Sequence, residues 1–172
     1  MNMSFLKPNS FRPLIGCLVA LTAGTLALVA GPIKVGDAFP DLSKFKLEGT
    51  LPDMKGKVVL VDFWASWCAP CKESFPTMND LQKRYGSQGL IIIGINVDEK
   101  NADMLDFLKK HSADFTVVRD AAQKLVDKAD ISTMPTSFLI DSSGKVRFTH
   151  SGFRGDETKK KYEQEIESLL PK

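Results

Sequence analysis

Apolar residues from position 58 onward alternate between runs typical of buried strands and runs typical of amphipathic helices. The segments VVLVDFW and LIIIGINV are almost continuously β-branched, aliphatic or aromatic, which is typical of strands buried on both faces of a sheet. Elsewhere apolar residues recur at three- and four-residue spacing, which indicates helices that pack by one face. The pattern predicts strands at 58–64, 90–97, 115–118, 136–141 and 146–150. It predicts helices from Cys68 to Gly86 and at 102–111, 121–130 and 156–170. Strands that alternate with helices favour an α/β fold whose sheet contains parallel strands.

The segment before the first predicted strand has a different character. Residues 32–57 are rich in Gly, Pro and Lys and carry only short apolar spacings. This composition predicts a linker followed by a short hairpin that ends at 55–57.

An uncharged apolar run at residues 14–30 follows Lys7 and Arg12 and ends at Gly31. A basic leader before an apolar run is typical of an export signal, whose positive flank stays on the cytoplasmic side. The run is longer than the usual signal core of about 7–15 residues, which favours an uncleaved membrane anchor, although a cleaved signal peptide stays open. We therefore expect a signal or anchor at residues 1–31 and one folded domain at residues 32–172.

Charge narrows the choice of partners. The net charge is +2, and the leader contributes two basic and no acidic residues, so residues 32–172 are neutral. Binding to nucleic acid needs a basic face, so we expect no nucleic-acid partner. Three cysteines are too few for a disulfide-rich scaffold.

Two of the cysteines form the motif Cys68-Ala69-Pro70-Cys71 between a predicted buried strand and a predicted helix. One helical turn separates the two thiols, so they can form a disulfide with little backbone movement. The helix N-terminus stabilises a thiolate at Cys68, which makes Cys68 the expected attacking group and Cys71 the resolving thiol. A zinc site would need about four ligands, and neither a second CxxC nor a nearby histidine is present, so we expect no metal. The expected redox group is the disulfide itself, with no further cofactor.

An acidic residue, Asp62, interrupts the apolar strand before this motif. A buried carboxylate is unfavourable unless it is paired or functional. Desolvation raises its pKa toward neutrality, where it can exchange a proton with Cys71. The alternative is a satisfied buried carboxylate without a catalytic effect.

Three neighbours of the thiols are also candidates. Trp67 is expected to pack beside the thiol and to shape the contact surface. Ala69 and Pro70 separate the cysteines, and the missing N–H of Pro70 alters the hydrogen bonding around Cys68, which is one way to tune a reduction potential.

Residues 61–72, VDFWASWCAPCK, resemble the active-site segment of thioredoxin-fold proteins. Residues 34–170 are similar to the TlpA/ResA-like branch, the exported thiol–disulfide oxidoreductases. The segments that carry this resemblance are GDAFPD at 36–41, GINVDE at 94–99 and MPTSFLID at 134–141. The resemblance implies a thioredoxin-like fold with a central mixed sheet flanked by helices and with a helix and strand inserted in mid-domain. The hairpin expected before residue 58 would precede this sheet.

The same resemblance implies roles for further residues. It implies a cis peptide bond at Met134-Pro135 and a backbone at Met134 that pairs with an extended substrate segment. Glu99 matches a glutamate of the branch that lies near the cysteine pair and tunes it, and Asp62 matches the acid of thioredoxins. The alternative for Glu99 is a solvated residue at a strand end.

The expected function is that of a disulfide reductase in the cell envelope, on the periplasmic side and anchored in the inner membrane by residues 14–30. Disulfides form in that compartment, so a reductase there needs electrons from a membrane-bound donor. The resemblance implies protein disulfide substrates, such as apocytochrome c or proteins of copper-site assembly. Three alternatives stay open: a disulfide-forming oxidase or isomerase, a copper(I) chaperone that uses both thiolates as soft ligands, and a thiol peroxidase.

Overall fold

A computed structural model describes residue 1 and residues 32–171 of the chain. The strands are β1 Val58–Trp64, β2 Leu90–Asn96, β3 Thr116–Arg119, β4 Thr136–Ile140 and β5 Val146–Ser151. The α-helices are α1 Ala69–Tyr85, α2 Asn101–Lys110, α3 Lys124–Ala129 and α4 Asp156–Leu169. Each predicted strand and helix from residue 58 onward is present, with small shifts at its ends.

The strands form a mixed sheet in the order β3-β2-β1-β4-β5. β1 is parallel to β2 and β2 is parallel to β3, while β4 runs antiparallel to both β1 and β5. β1 is central, and all seven of its residues are buried. This arrangement confirms the predicted thioredoxin-like α/β fold, and it explains why β1 has a continuous apolar sequence rather than an alternating one.

Successive residues of β1 point to opposite faces of the sheet. One face carries Val58 and Leu60, which pack against side chains of α1 and α4: Met78, Leu81, Tyr162 and Ile166. The other face carries Val61 and Phe63, which belong to a cluster with Leu42 and with residues of α3: Leu125, Val126 and Ala129. Alternation places Asp62 on the face covered by α1 and α4.

The hairpin predicted within residues 32–57 is wrong. This segment contains one short 3₁₀ helix, Leu42–Lys44, and it pairs with the sheet instead of with itself. Ala38 bridges to Lys145 beside β5, and Glu48 bridges to Arg119 of β3. Because β5 and β3 are the two edge strands, the segment crosses one whole face of the sheet and bonds to both edges. Gly and Pro in the sequence correctly signalled turns, but they do not specify the partner of the intervening residues.

The predicted insertion of a helix and a strand is confirmed as α2 and β3. The inserted helix packs through Phe107, whose ring centroid lies 4.9 Å from those of both Trp64 and Phe75. Trp64 and Phe75 contact each other at 4.8 Å. This aromatic cluster joins α2 to the end of β1 and to α1, so the insertion is part of the packing around the cysteine motif.

The signal or anchor predicted at residues 1–31 lies outside the described residues, apart from Met1. Across residues 32–171, no helix is both long enough and apolar enough to span a membrane. The boundary between leader and domain stays a prediction.

Candidate active site

Cys68 and Cys71 form a disulfide at the start of α1, with their Cα atoms 5.3 Å apart. Cys68 is the N-cap residue of the helix, and its Sγ accepts a hydrogen bond from the backbone N–H of Cys71 at 3.2 Å. The first N–H groups of a helix have no partner within the helix. A donor aimed at Cys68 Sγ would stabilise a thiolate there, in addition to the helix dipole.

The two cysteines differ in exposure. Cys71 is completely buried, whereas Cys68 retains 5% exposure beside Trp67, which is 72% exposed. A groove of about 450 Å³ runs over Cys68, and its lining contains Trp67, Cys68, Ala69, Pro70, Ile131, Ser132 and Met134. The structure thus gathers the predicted contact residue, the motif residues and the residue before the proline around one sulfur atom.

The loop between α3 and β4 forms the opposite wall of this groove. Its Met134-Pro135 peptide bond is cis, as the resemblance implies. Pro135 is buried and its carbonyl accepts a hydrogen bond from Gly152 at 2.7 Å, while Met134 is half-buried and faces the groove. The contact with Gly152 ties the loop to the segment after β5.

Asp62 is only 2% exposed, and the sheet register places it between Gly94 of β2 and Ser137 of β4. The Ser137 hydroxyl donates a hydrogen bond to Asp62 Oδ1 at 2.7 Å. Burial raises the pKa of Asp62 to about 7, against the lowering effect of the Ser137 hydrogen bond. The predicted burial and raised pKa are therefore present, and the carboxyl can exchange a proton at neutral pH.

Sequence reasoning missed the polar partners of Asp62. Ser137 Oγ lies 2.7 Å from the hydroxyl of Tyr162, which is fully buried on α4. Burial raises the pKa of Tyr162, and the charge of Asp62 raises it further, so the phenol stays neutral. The available signal was Ser137 itself, a hydroxyl residue inside the apolar strand TSFLI.

Glu99 has different surroundings from Asp62. It is exposed at the rim of a second groove, of about 620 Å³, which also reaches Trp67 and Met134. Its backbone carbonyl accepts a hydrogen bond from the Arg119 guanidinium at 2.9 Å. The structure therefore places Glu99 on a surface that it shares with Trp67 and Met134, whereas Asp62 lies in the core.

Asp98 is a further residue that sequence reasoning missed as part of the site. It is 2% exposed, and its carboxylate accepts hydrogen bonds from the backbone N–H of Ser66 at 3.1 Å and from its hydroxyl at 3.0 Å. The side-chain amide of Asn96 donates a further bond at 2.8 Å. Asp98 follows β2, whose end lies beside the end of β1 in the parallel pair, and so it can hold the loop that leads to Trp67.

The two histidines contact other parts of the domain. The ring of His111 packs on Phe107, with centroids 4.7 Å apart, and His150 Nε2 lies 2.6 Å from a carboxylate oxygen of Glu165. Within the described part of the chain, no group of three or more His, Cys, Asp or Glu side chains is arranged to hold a metal ion.

Comparison with known proteins gives consistent similarities. The profile of the Redoxin family matches residues 34–166. The thiol-disulfide oxidoreductase ResA of Bacillus subtilis is 39% identical over 126 residues, which are 70% of each chain. ResA of Geobacillus thermodenitrificans is 34% identical over 142 residues, which cover 81% of this chain and 80% of that protein. The solved structure of a Chlorobium tepidum protein assigned as the thiol:disulfide interchange protein DsbE is 42% identical, with a TM-score of 0.75, and covers 81% of this chain and 99% of that one.

Proposed function

The chain belongs to the Redoxin family and is a thiol–disulfide oxidoreductase of thioredoxin-like fold, and from this premise we propose that it reduces disulfide bonds in exported proteins. The observation that carries the proposal is the asymmetric cysteine pair. Cys68 borders a groove at a helix N-terminus, and its partner Cys71 is sealed in the core. An accessible attacking sulfur and an inaccessible resolving sulfur suit stepwise exchange with a large substrate.

The reaction starts from the dithiol form. The Cys68 thiolate attacks one sulfur of a substrate disulfide, which forms a mixed disulfide and releases the other substrate sulfur as a thiolate. Cys71 then loses its proton and attacks Cys68 Sγ, which breaks the mixed disulfide and releases the second substrate thiolate. Two electrons pass to the substrate, and the Cys68–Cys71 disulfide remains on the enzyme.

Asp62 is the proposed acceptor of the Cys71 proton, because its carboxyl is buried and titrates near neutrality. Trp67 and Met134 are proposed to contact the substrate from the two walls of the groove, and Pro135 to hold the Met134 backbone for pairing with an extended substrate segment. Glu99 is proposed to tune the chemistry of the cysteine pair through its charge at the rim of the larger groove. Ala69 and Pro70 are proposed to tune the reduction potential of the same pair.

The proposed setting is the periplasmic side of the cell envelope, with residues 14–30 as an inner-membrane anchor. Disulfides persist in such compartments, so the oxidised enzyme must regain two electrons from a membrane-bound dithiol donor. We place apocytochrome c or proteins of copper-site assembly among the substrates. The support for this finer assignment is the sequence resemblance to the TlpA/ResA-like branch.

Trapping of the mixed disulfide tests the exchange reaction. In full-length Cys71→Ser the second step is blocked, so substrates should remain covalently bound to Cys68 and be released by a reducing agent. The Cys68→Ser/Cys71→Ser double variant is the matched control, because it retains only Cys17 as a background thiol. Failure of Cys71→Ser to retain more disulfide-linked protein than this control would contradict an exchange role.

The reduction potential tests the direction of the reaction. A reductase should equilibrate with glutathione or thioredoxin buffers at a potential well below the value of about −120 mV that marks a strong oxidant. A measured value near about −120 mV would instead support the disulfide-forming alternative.

A further inference from the structure

A row of polar side chains crosses three adjacent strands beneath α4. The register pairs Asp62 of β1 with Ser137 of β4, and Ser137 with His150 of β5. On its other side Asp62 faces Gly94 of β2, which has no side chain. The polar side chains next to Asp62 within the sheet therefore all lie on the β4 side.

Asp62, Ser137 and Tyr162 of α4 form the hydrogen-bonded part of this arrangement, which we call the row. The positions of its two hydroxyl hydrogens follow from the number of donors. Asp62 in its ionised form only accepts, so the single hydrogen of Ser137 points to Asp62 Oδ1. Ser137 Oγ is then free to accept, and the nearby Tyr162 hydroxyl at 2.7 Å donates to it. Both hydroxyl hydrogens point toward the carboxylate, so the row stabilises the ionised form of Asp62 against the effect of burial.

The opposite arrangement satisfies fewer groups. A protonated Asp62 that donates to Ser137 Oγ forces Ser137 to turn its hydrogen toward the Tyr162 oxygen. The Tyr162 hydrogen then loses its acceptor, and a buried donor without an acceptor is unfavourable. A proton on Oδ1 is therefore disfavoured, and a proton on the other carboxyl oxygen weakens the Ser137 bond, because a hydrogen bond to a carboxylate is stronger than one to a neutral carboxyl.

We propose that Ser137 and Tyr162 are positioning residues that keep Asp62 ionisable at neutral pH and thereby set how readily it accepts the proton of Cys71. The proposal deepens the proposed function and rests on the role given there to Asp62. It assigns a task to two residues that line neither of the grooves beside Trp67. Tyr162→Phe separates that task from packing, because Phe replaces the ring without the hydroxyl.

Other titratable groups surround the row and must be separated from it. α4 contributes Glu165, and β5 contributes His150. His150 is bonded to Glu165, and its ring centroid lies 4.7 Å from that of Tyr162. Because the imidazole of His150 lies this close to the row, a His150→Gln variant serves as the control that removes it.

The experiment follows the resolving step with an aromatic disulfide, Ellman's reagent, on the reduced full-length protein in a Cys17→Ala background. Attack by Cys68 releases one coloured thiolate, and attack by Cys71 on the mixed disulfide releases the second. The rate of the second release should rise with pH through an inflection that reports Asp62. Asp62→Asn should abolish this inflection, and His150→Gln should retain it.

Ser137→Ala should move the inflection upward by about one pH unit and slow the second release about tenfold below it, as expected for a lost hydrogen bond to a charged group. Tyr162→Phe should cause a smaller shift in the same direction, and Ser137→Thr should restore the wild-type profile. Tyr85→Phe is the matched control, because its hydroxyl bonds to Glu167, 2.6 Å away, outside the row. In the Asp62→Asn background, Ser137→Ala should have no further effect.

Two results would overturn the proposal while leaving the role of Asp62 intact. One is an unchanged inflection in both Ser137→Ala and Tyr162→Phe, combined with its loss in Asp62→Asn. The other is an equal slowing by Ser137→Ala at every pH that persists in the Asp62→Asn background, which is the signature of a structural role. An unchanged profile in Asp62→Asn would instead remove the proposed role of Asp62 and this inference with it. Tyr162→Phe preserves core volume, so it keeps the test decisive if Ser137→Ala does not fold.

Discussion

Burial of Asp62 couples the stability of the domain to pH. The carboxyl titrates at about 3.9 in an unfolded chain but at about 7 in the fold. Between these values the folded state binds a proton that the unfolded state has released, so the free energy of unfolding falls as pH rises from about 4 to about 7. Three pH units correspond to a loss of about 4 kcal/mol.

This coupling predicts that Asp62→Asn is more stable than the wild type at pH 8 and that the difference disappears toward pH 4. Urea unfolding of both oxidised proteins over this range measures the effect. Hydrogen bonds from residues such as Ser143 lower the pKa of Asp141 to about 2, against the opposing effect of burial. The stability that Asp141 contributes is therefore lost only as pH falls below about 4, outside this window. Parallel stability curves for the two proteins would contradict a raised pKa at Asp62.

Gly94 is required by close packing rather than by its backbone conformation. A Cβ atom there would lie 2.9 Å from Trp64 Nε1 and 3.0 Å from Phe115 Cε2. Gly94→Ala should therefore destabilise the domain by about 1–3 kcal/mol, the usual effect of overpacking.

The Trp64→Phe background supplies the control for Gly94→Ala. The smaller ring removes the clashing atom, and it also removes a buried indole N–H that has no hydrogen-bond partner within the described residues. Gly94→Ala should be less destabilising in this background when both pairs are compared by urea unfolding. An equal loss of stability from Gly94→Ala in the wild-type and Trp64→Phe backgrounds would show that the clash with Trp64 is not the cause.

At the scale of elements, the position of α1, the helix that begins after Cys68, depends on the residue that follows β2. Asp98, which follows β2, anchors the loop between β1 and α1, because its carboxylate accepts hydrogen bonds from both the backbone N–H and the hydroxyl of Ser66. Asp98→Ala should lower the free energy of unfolding by about 2–4 kcal/mol, because several bonds to a buried carboxylate are lost. Asp53→Ala is the control, since Asp53 is exposed and accepts one local bond from Lys55. Equal effects of the two substitutions on urea unfolding would contradict the anchoring role of Asp98.

The elements that sequence predicted best are those whose own residues determine them. β1 and β2 carry uninterrupted apolar runs, and the cysteine motif precedes a regular helical pattern, so their type and approximate ends follow from local chemistry. The segment at 32–57 was mispredicted because its bridges are to Lys145 and Arg119, far along the chain. Pairing of this kind depends on the assembled sheet.

The same distinction applies to the site. The burial of Asp62 could be predicted from one strand, because an acid inside an apolar run must be buried with the run. Its partner Ser137 depends on the register of β4 against β1, and Tyr162 on the docking of α4. Sequence alone identifies the unusual residue, whereas the groups that satisfy it require the tertiary fold.

At the scale of the whole molecule, the proposed anchor makes a prediction about the mature chain. Protein isolated from membranes should retain the residues before position 14, because an uncleaved anchor stays attached. N-terminal sequencing measures this directly, and a start near Leu28 or Gly31 would contradict the anchor. Deletion of residues 14–30 is the control, which should move the protein out of the membrane fraction.

The path of residues 32–57 across the sheet has a consequence for the order in which the domain can assemble. Its two β-bridges are to Arg119 and Lys145, so the beginning of the domain finds these partners only when most of the later chain is available. Contacts between residues so far apart in sequence form late and slow the search for the native topology. Under the export proposed for this chain, the domain would therefore remain incompletely folded until its last strands have crossed the membrane, which keeps it narrow enough to pass.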